Sequence, residues 1–231
     1  MSGRRYAWPI VDRRAVVIGP NCRRFIRALA RGSAVTLLGW QALALAQTDD
    51  ATIDEVFGRL SAVETVRGEF VQSREISALS NPLRSSGHFI VSELGLYWEQ
   101  REPFPTVLIA REDSISEQIG GQPRTTVSAS QSPISASISR IFLGLFSGDL
   151  GKLEEVFRVG FEGSNERWTL SLEPRSYPLT EAIEAVTVSG SDYMESIQVD
   201  GLAGDRMTIE LLDQSAEPAV LSLQERELYF P

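Results

Sequence analysis

The chain has 231 residues and a formal net charge of −9. Eight arginines and a single acid lie in residues 1–46, so the rest of the chain has a net charge of about −16. We expect so acidic a chain to be repelled by nucleic acid and by anionic lipid surfaces, where affinity comes largely from basic side chains. About 185 residues follow residue 46, enough for one domain with its own core. The sequence therefore predicts a single domain over residues 47–231.

Residues 1–46 have the pattern of a secretory signal peptide. An arginine-rich start is followed by a short apolar run, residues 34–46, which ends in a small-x-small site at Ala46. The run is shorter than the ~20 residues that span a bilayer, which predicts export and cleavage after Ala46. An uncleaved N-terminal anchor and a twin-arginine signal at Arg23-Arg24 are the alternatives. The only cysteine, Cys22, lies in this segment, so the mature chain is expected to contain neither a thiol nor a disulfide.

Period-two alternation between residues 66 and 110 predicts several strands that bury at least one face. Two extended segments, the second of which resumes its alternation after Gly95, carry large apolar side chains at their inward positions, namely Phe70, Phe89, Val91, Leu96 and Trp98. Pro103 and Pro105 then interrupt the pattern before another apolar run at residues 107–110. Large aromatic residues on consecutive short strands favour a curved sheet with an apolar concavity.

Two segments have the three- and four-residue apolar spacing of amphipathic helices. The first is residues 51–64. The second begins at Ser132 and Pro133, a capping hydroxyl followed by proline at the first helical position. Its apolar face carries Ile134, Ile138, Ile141, Phe142 and Leu145, is broadened by Phe146, and continues into a short helix after Asp149 with Leu150, Leu153, Val156 and Phe157. The pattern fits either helices packed permanently on the core or a movable lid over an apolar cavity.

From residue 158 onward the pattern returns to strands. Trp168, Leu170 and Leu172 alternate after a turn at residues 163–165. Successive hairpins predict an antiparallel meander, without the strand–helix alternation of a parallel sheet. Near the end, Ser222 and Glu225 form a capping-box pattern that predicts a short C-terminal helix.

The sequence offers few groups for catalysis. His88 is the only histidine and lies in a strand, where a structural role is favoured over a catalytic one. With one histidine and no mature cysteine, zinc ligation by nitrogen and sulfur is excluded, and we expect no metal or cofactor. Glu99 and Glu102 could form an acid pair of the glycosidase kind, but solvated charges beside a proline turn are the simpler interpretation. We expect no enzymatic activity.

Several short motifs together point to a known family. They are Phe70-x-Gln72, Pro82-Leu83-x-Ser85-Ser86-Gly87-x-Phe89, Leu96-Tyr97-Trp98-Glu99 and Pro103-Phe104. In their order and spacing, residues 50–230 resemble the LolA family of periplasmic lipoprotein carriers, and most closely a divergent LolA-like branch associated with lipid or aryl-polyene biosynthesis. The resemblance implies an α+β fold that is mainly β. This fold is a half-open antiparallel β-barrel with short helices that plug its apolar concavity.

The resemblance also implies a function in the periplasm, where such a chain would bind the acyl chains of a lipoprotein or lipid and carry them towards the outer membrane. The implied partners are an inner-membrane exporter and an outer-membrane receptor, with no nucleic acid, and the chain is expected to be a monomer. The candidate residues of the apolar cavity are Phe70, Phe89, Val91, Leu96, Trp98, Ile109, Ile138, Phe142, Leu145 and Trp168.

One position departs from the family pattern. LolA carriers have a basic residue between the Gly-x-Phe and Leu-x-Trp segments that is tied to client release, whereas this chain has Glu93 there. The departure favours a carrier that serves a biosynthetic cluster over the housekeeping lipoprotein carrier. The alternative function is a lipid-sensing regulatory or binding protein of the cell envelope without a transport role, similar to the lipid-sensing domain of RseB-type regulators.

Overall fold

The computed structural model describes residues 52–128, 130–131 and 133–230. In these residues eleven strands form one sheet, in the order β6-β5-β4-β3-β2-β1-β11-β10-β9-β8-β7. Every pair of neighbouring strands is antiparallel. The strands are β1 (Val66–Glu75), β2 (Leu83–Ser92), β3 (Gly95–Glu102), β4 (Thr106–Ala110), β5 (Ser114–Ile119), β6 (Thr125–Ser128), β7 (Phe157–Gly163), β8 (Trp168–Pro174), β9 (Ile183–Gly190), β10 (Met194–Gly201) and β11 (Arg206–Ser215).

The sheet is open because β6 and β7 are its two ends and do not pair with each other. The mainly-β, half-open antiparallel fold expected from the sequence is therefore confirmed. The predicted interruption at Pro103 and Pro105 is also observed, since β3 ends at Glu102 and β4 begins at Thr106. Proline has no backbone N–H to donate to a strand ladder, which explains why the pairing stops there.

The register of the strands divides the side chains between two faces. Residues that lie opposite each other in antiparallel strands point to the same side of a sheet. Phe89 is opposite Trp98, and Trp98 is opposite Leu108, so these three share the inner face. Ile90, Tyr97 and Ile109 form the adjacent row and share the outer face.

Three helices pack on the inner face: α1 (Ile53–Ser61), α2 (Pro133–Phe146) and α3 (Leu150–Glu154). The first helix begins with a capping box, in which Thr52 and Glu55 each accept a hydrogen bond from the other's backbone N–H. The second crosses strands β3 to β6, and the third lies against β7. Every helix in the described residues is too short or too polar to span a bilayer.

One helix boundary differs from the sequence expectation. The predicted helix after Asp149 extends through Val156 and Phe157, but α3 ends at Glu154 and Phe157 is the first residue of β7. Phe157 lies opposite Pro174 and is completely buried in the sheet. The apolar spacing alone would extend the helix to Phe157, but the burial of Phe157 in the sheet favours a strand there.

A second, smaller core lies on the outer face of the sheet. It consists of Ile90, Tyr97, Ile109, Leu221 and Tyr229. The last two belong to the C-terminal strap, residues 216–230, which contains helix α4 (Leu223–Leu228). The capping box predicted at the start of α4 is present. The strap therefore covers apolar side chains that would otherwise face solvent.

Arg67 is the main polar anchor of the strap. Its Nε lies 2.5 Å from Oε1 of Glu225, and its two NH₂ nitrogens donate to the carbonyl oxygens of Pro218 and Val220. The hydrogen bond from Arg67, opposed by burial and helped by bonds from Ser222, lowers the pKa of Glu225 to about 2. At the other end of the strap, the hydroxyl of Tyr229 donates to the carbonyl oxygen of Ile90, and burial raises its pKa to about 12.

Candidate functional site

A row of five aromatic rings runs across the inner face of the sheet and onto α2. Phe70 is stacked on Trp98 with 3.8 Å between ring centroids, and Trp98 lies 5.9 Å from Phe89. Phe89 lies 5.6 Å from Phe146 of α2, which is 6.4 Å from Phe142. The last three distances are within the ~4.5–7 Å range of attractive aromatic pairs, and Phe70 and Trp98 are in closer, stacked contact. We call these five side chains the aromatic row.

Two glycines allow close packing around the row on the sheet. Gly68 lies opposite Phe89, and Gly87 lies opposite Phe70. A Cβ on Gly68 would lie 2.7 Å from the Phe89 ring, and one on Gly87 would lie 1.9 Å from the carbonyl oxygen of Glu99. The Phe89 ring therefore depends on the missing side chain of Gly68, whereas Gly87 allows the β3 backbone to approach closely. The pairing of Phe89 with Gly68 becomes visible once the strand register is known.

Burial divides the aromatic row into two parts. Phe70 and Phe89 are 1% and 0% exposed, whereas Trp98, Phe142 and Phe146 are only partly buried. The first two rings are fully enclosed by the core in this structure. The other three form a layer between the sheet and α2, so they are the side chains that a displaced helix would expose first.

Eight of the ten candidate cavity residues belong to the core on the inner face or pack against it, and their contact with a ligand stays a prediction. Phe70, Phe89, Val91, Leu96, Leu145 and Trp168 belong to the main core cluster on the inner face, and Trp98 and Phe142 pack against it. Ile138 lies outside the residues whose side chains the structure describes. Phe146 of α2 also contacts the sheet, through Phe89, but is not among the candidate residues. Its position four residues after Phe142 places both rings on the same face of the helix, and this spacing could have identified it.

The placement of Ile109 in the cavity is wrong. Ile109 lies opposite Tyr97 and belongs to the outer core with Ile90 and Tyr229. The run at residues 107–110 is continuously apolar, so it has no alternation from which to assign a face. Its neighbour Leu108, which is opposite Trp98, is the residue of this strand that faces inward.

A groove of about 490 Å³ opens at the end of the sheet where the strap begins. It is bounded by the connection between α1 and β1, the β2–β3 turn, the end of α2 and the strap. Its apolar lining consists of Val63, Val91, Phe146, Ala219, Val220 and Leu221. Val91 and Phe146 also belong to or pack on the main core. The groove therefore leads from the surface to Phe146 of the aromatic row.

The charged groups considered for catalysis lie on the outer face, away from the row. Nδ1 of His88 lies 3.0 Å from Oε2 of Glu99, without the alignment of a hydrogen bond, and Arg101 lies 3.6 Å from the same carboxylate. Burial, together with the charge of Arg101, lowers the pKa of His88. The neutral form of His88 is therefore favoured over the charged form. Among the described residues no group of three or more histidine, cysteine or acidic side chains is arranged to hold a metal ion.

Comparison with protein families gives a match over most of the chain. The family described as outer membrane lipoprotein carrier protein LolA-like matches residues 44–223. The chain belongs to this LolA-like family. No curated protein sequence matches the chain.

Three solved structures are similar to this LolA-like chain. They are a LolA superfamily protein from Nitrosomonas europaea, a DUF1329 family protein from Desulfovibrio piger and a putative outer membrane lipoprotein-sorting protein domain from Vibrio parahaemolyticus. The sequence identities are 6%, 9% and 8%, and the TM-scores are 0.38, 0.41 and 0.40. The matches cover 71%, 73% and 76% of this chain and 93%, 93% and 97% of the other chains.

The acid that departs from the LolA pattern lines the groove. Glu93 lies in the β2–β3 turn, and its Oε1 is 3.2 Å from a guanidinium nitrogen of Arg226 on α4. Both side chains are well exposed, so this ion pair contributes little to stability. At the opening of the groove, the positive charge of Arg226 partly neutralises the negative charge of Glu93.

Proposed function

We propose that this LolA-like chain is a periplasmic carrier that binds the acyl chains of a lipid or lipoprotein between the inner face of its sheet and helix α2. The observation that carries the proposal is the partly exposed layer of Trp98, Phe142 and Phe146 between the two. Each CH₂ group of an acyl chain that is buried there contributes about 0.8 kcal/mol. Membership of the LolA-like family supports the same function.

Helix α2 is suited to be displaced by such a ligand. It has no acidic residue in its first turn and no basic residue in its last, so no charged side chain in these turns interacts favourably with the helix dipole. It is packed on the inner face through Ile141, Phe142, Leu145 and Phe146. An acyl chain offers the same apolar contacts, and can therefore replace the helix at the aromatic row.

A fluorescence titration tests the proposal. When palmitate is added to the exported protein, we expect the emission of Trp98 to shift to the blue and to saturate, because an acyl chain excludes water from this partly exposed ring. Trp168 is 1% exposed and its indole N–H donates to the carbonyl oxygen of Ser191, so it should not respond. The Trp98→Phe variant should therefore lose most of the shift.

The Phe142→Asp variant provides a second test. We expect it to lose most of its affinity for palmitate while its melting temperature changes little. If Trp98 emission does not change with palmitate and Phe142→Asp affects only the melting temperature, α2 is ordinary core and the carrier function is rejected.

The proposal includes export and partners. Residues 1–46 would be removed as a signal peptide, which leaves residues 47–231 as one lipid-binding domain that passes its cargo, as a monomer, from an inner-membrane exporter to an outer-membrane receptor. The mature chain is then expected to begin at Gln47. Mass spectrometry of the intact protein from the periplasm measures this directly, and a mass that includes residues 1–46 would contradict it.

A further inference from the structure

The groove beside Phe146 is lined by three kinds of side chain. Its apolar lining reaches the aromatic row through Phe146. Four of its residues carry hydroxyl groups, namely Ser61, Thr65, Ser92 and Ser147. Its charged residues are Glu64, Glu93 and Arg226. The groove volume of about 490 Å³ is within the ~300–1,000 Å³ of pockets that bind small ligands, so its size and composition suit a molecule with one apolar and one polar end.

Thr65 is a buried polar residue of the groove that the protein leaves unpaired. It is 3% exposed, and its hydroxyl forms no hydrogen bond with any described residue. Its oxygen is not completely covered by protein, and the space that Thr65 lines is the groove. Since a threonine hydroxyl can both donate and accept, Thr65 offers a hydrogen-bonding group to the polar end of a molecule in the groove.

The charged residues that line the groove favour a cation over an anion. Arg226 lies 3.2 Å from Glu93, so these two charges largely neutralise each other. Glu64 is exposed, and its carboxylate has neither an ion pair nor a hydrogen bond with any described residue. The charge that is left without a counter-charge in the groove is therefore negative. It attracts a cationic group in the groove and repels an anionic one.

The cations near the groove are already bound by the protein. Lys152, which lines the adjacent groove, is paired with two carboxylates, at 3.3 Å and 3.7 Å. Arg111, which lines the same adjacent groove, donates a hydrogen bond to a carbonyl oxygen of the strap. Arg67 is bound to Glu225. In the described part of the chain, each cation that lines either groove therefore has a partner, whereas Glu64 has none.

We propose that the groove binds the polar end of the acyl-chain cargo and selects cargo in which that end carries an ammonium group. The ammonium group lies at the carboxylate of Glu64 and donates a hydrogen bond to the hydroxyl of Thr65, while the chain passes Phe146 onto the aromatic row. This inference rests on the proposed carriage of acyl chains and adds the class of cargo. The ethanolamine headgroup of a phospholipid and a lysine beside the acylated residue of a lipoprotein both present such a group.

Isothermal titration calorimetry with three ligands of equal chain length tests the selection. At pH 7 dodecylamine is a cation, laurate is an anion and dodecanol is neutral, because amines titrate near ~10 and carboxyl groups near ~4. The exported protein is titrated below the micelle-forming concentration of each ligand. We expect dodecylamine to bind at least about tenfold more tightly than laurate, with dodecanol between them. At a salt concentration of ~0.15 M, charges more than ~8 Å from the ligand are largely screened, so the preference reports the groove.

The Glu64→Gln variant should reduce the preference for dodecylamine over laurate to about threefold or less, because it removes the carboxylate that has no counter-charge. Glu210→Gln is the matched control. Glu210 is exposed on the outer face of β11, opposite Val71, and has no ion pair with any described residue. The control removes the same charge away from the groove, so its preference should stay within about twofold of the wild type.

The Thr65→Val variant tests the hydroxyl while keeping the shape of the side chain. We expect its affinity for dodecylamine to fall by about fivefold, because the ammonium group loses a hydrogen-bond acceptor. Its melting temperature should stay the same or rise, because the hydroxyl has no partner among the described residues to lose. A lower melting temperature with unchanged affinity for dodecylamine would make Thr65 a structural residue and contradict its contact with the cargo.

Two further ligands distinguish the sources of the ammonium group, namely lauroyl lysophosphatidylethanolamine and N-lauroyl-lysinamide. At least one of them should bind more tightly than laurate, and the tighter of the two identifies the source. Equal affinities of the wild type for dodecylamine and laurate, or an unchanged preference in Glu64→Gln, would overturn the selection and leave the carriage of acyl chains standing. If none of the ligands binds, both proposals fail.

Discussion

Replacing Phe89 with alanine is expected to lower the free energy of unfolding by about 3–5 kcal/mol. Phe89 has no exposed surface, and its ring packs against Trp98, Phe146 and the backbone position of Gly68. Trp98 cannot move into the space left by the ring without giving up its stacking on Phe70. The substitution therefore leaves a cavity. Urea unfolding followed by circular dichroism measures the loss.

Phe104→Ala is the matched control, because it removes the same ring from a turn where 73% of the residue is exposed. Its free energy of unfolding should change by less than about 0.5 kcal/mol. A loss of less than about 1 kcal/mol for Phe89→Ala would contradict the close packing of the row. A full loss assigns Phe89 to the permanent core and limits the proposed ligand contacts to Trp98, Phe142 and Phe146.

Arg67→Gln is expected to lower the free energy of unfolding by about 2 kcal/mol at pH 7, because one side chain holds Glu225 and two carbonyl oxygens of the strap. The substitution should also change the pH dependence of stability. With Arg67 present, the pKa of Glu225 is about 2, below its ordinary value of 4.5. The stabilisation is therefore complete above pH 4.5 and is lost as the pH falls towards 2.

In the variant the pKa of Glu225 should rise towards 4.5, so this part of the acid-induced loss should be smaller. Thermal melts at several pH values measure both effects. Arg226→Gln is the control, since its pair with Glu93 at 3.2 Å is exposed and should be worth less than about 0.5 kcal/mol. Equal effects of the two substitutions would show that the strap is not anchored through Arg67.

Helix α2 could be a permanent part of the core or a movable lid, and its packing on the inner face bears on both hypotheses. The sequence allows either permanent packing or a movable lid, and the structure shows the helix packed against the sheet. The two are compatible if the packing can be exchanged for an acyl chain. The partly buried rings of Trp98, Phe142 and Phe146 are the part of the interface where such an exchange costs least, since they retain some contact with solvent.

The strap illustrates a limit of local patterns. The pairing of Ser222 with Glu225 is local, so the capping box predicts α4 correctly. The contact between Glu225 and Arg67 joins residues 158 positions apart. No periodicity in either segment indicates that the second core exists on the outer face. Only the paths of the two segments through the fold bring these side chains together.

The sequence by itself determined the features that depend on neighbouring residues. Alternation between residues 66 and 102 placed Phe70, Phe89 and Trp98 on one face, because the side-chain period of a strand is two. The tertiary structure decided what depends on register and on distant contacts. Ile109 lies on the outer face because it is opposite Tyr97, and Phe157 lies in a strand because it is buried opposite Pro174. Pairing between strands sets these positions, and a single strand carries no record of its partner.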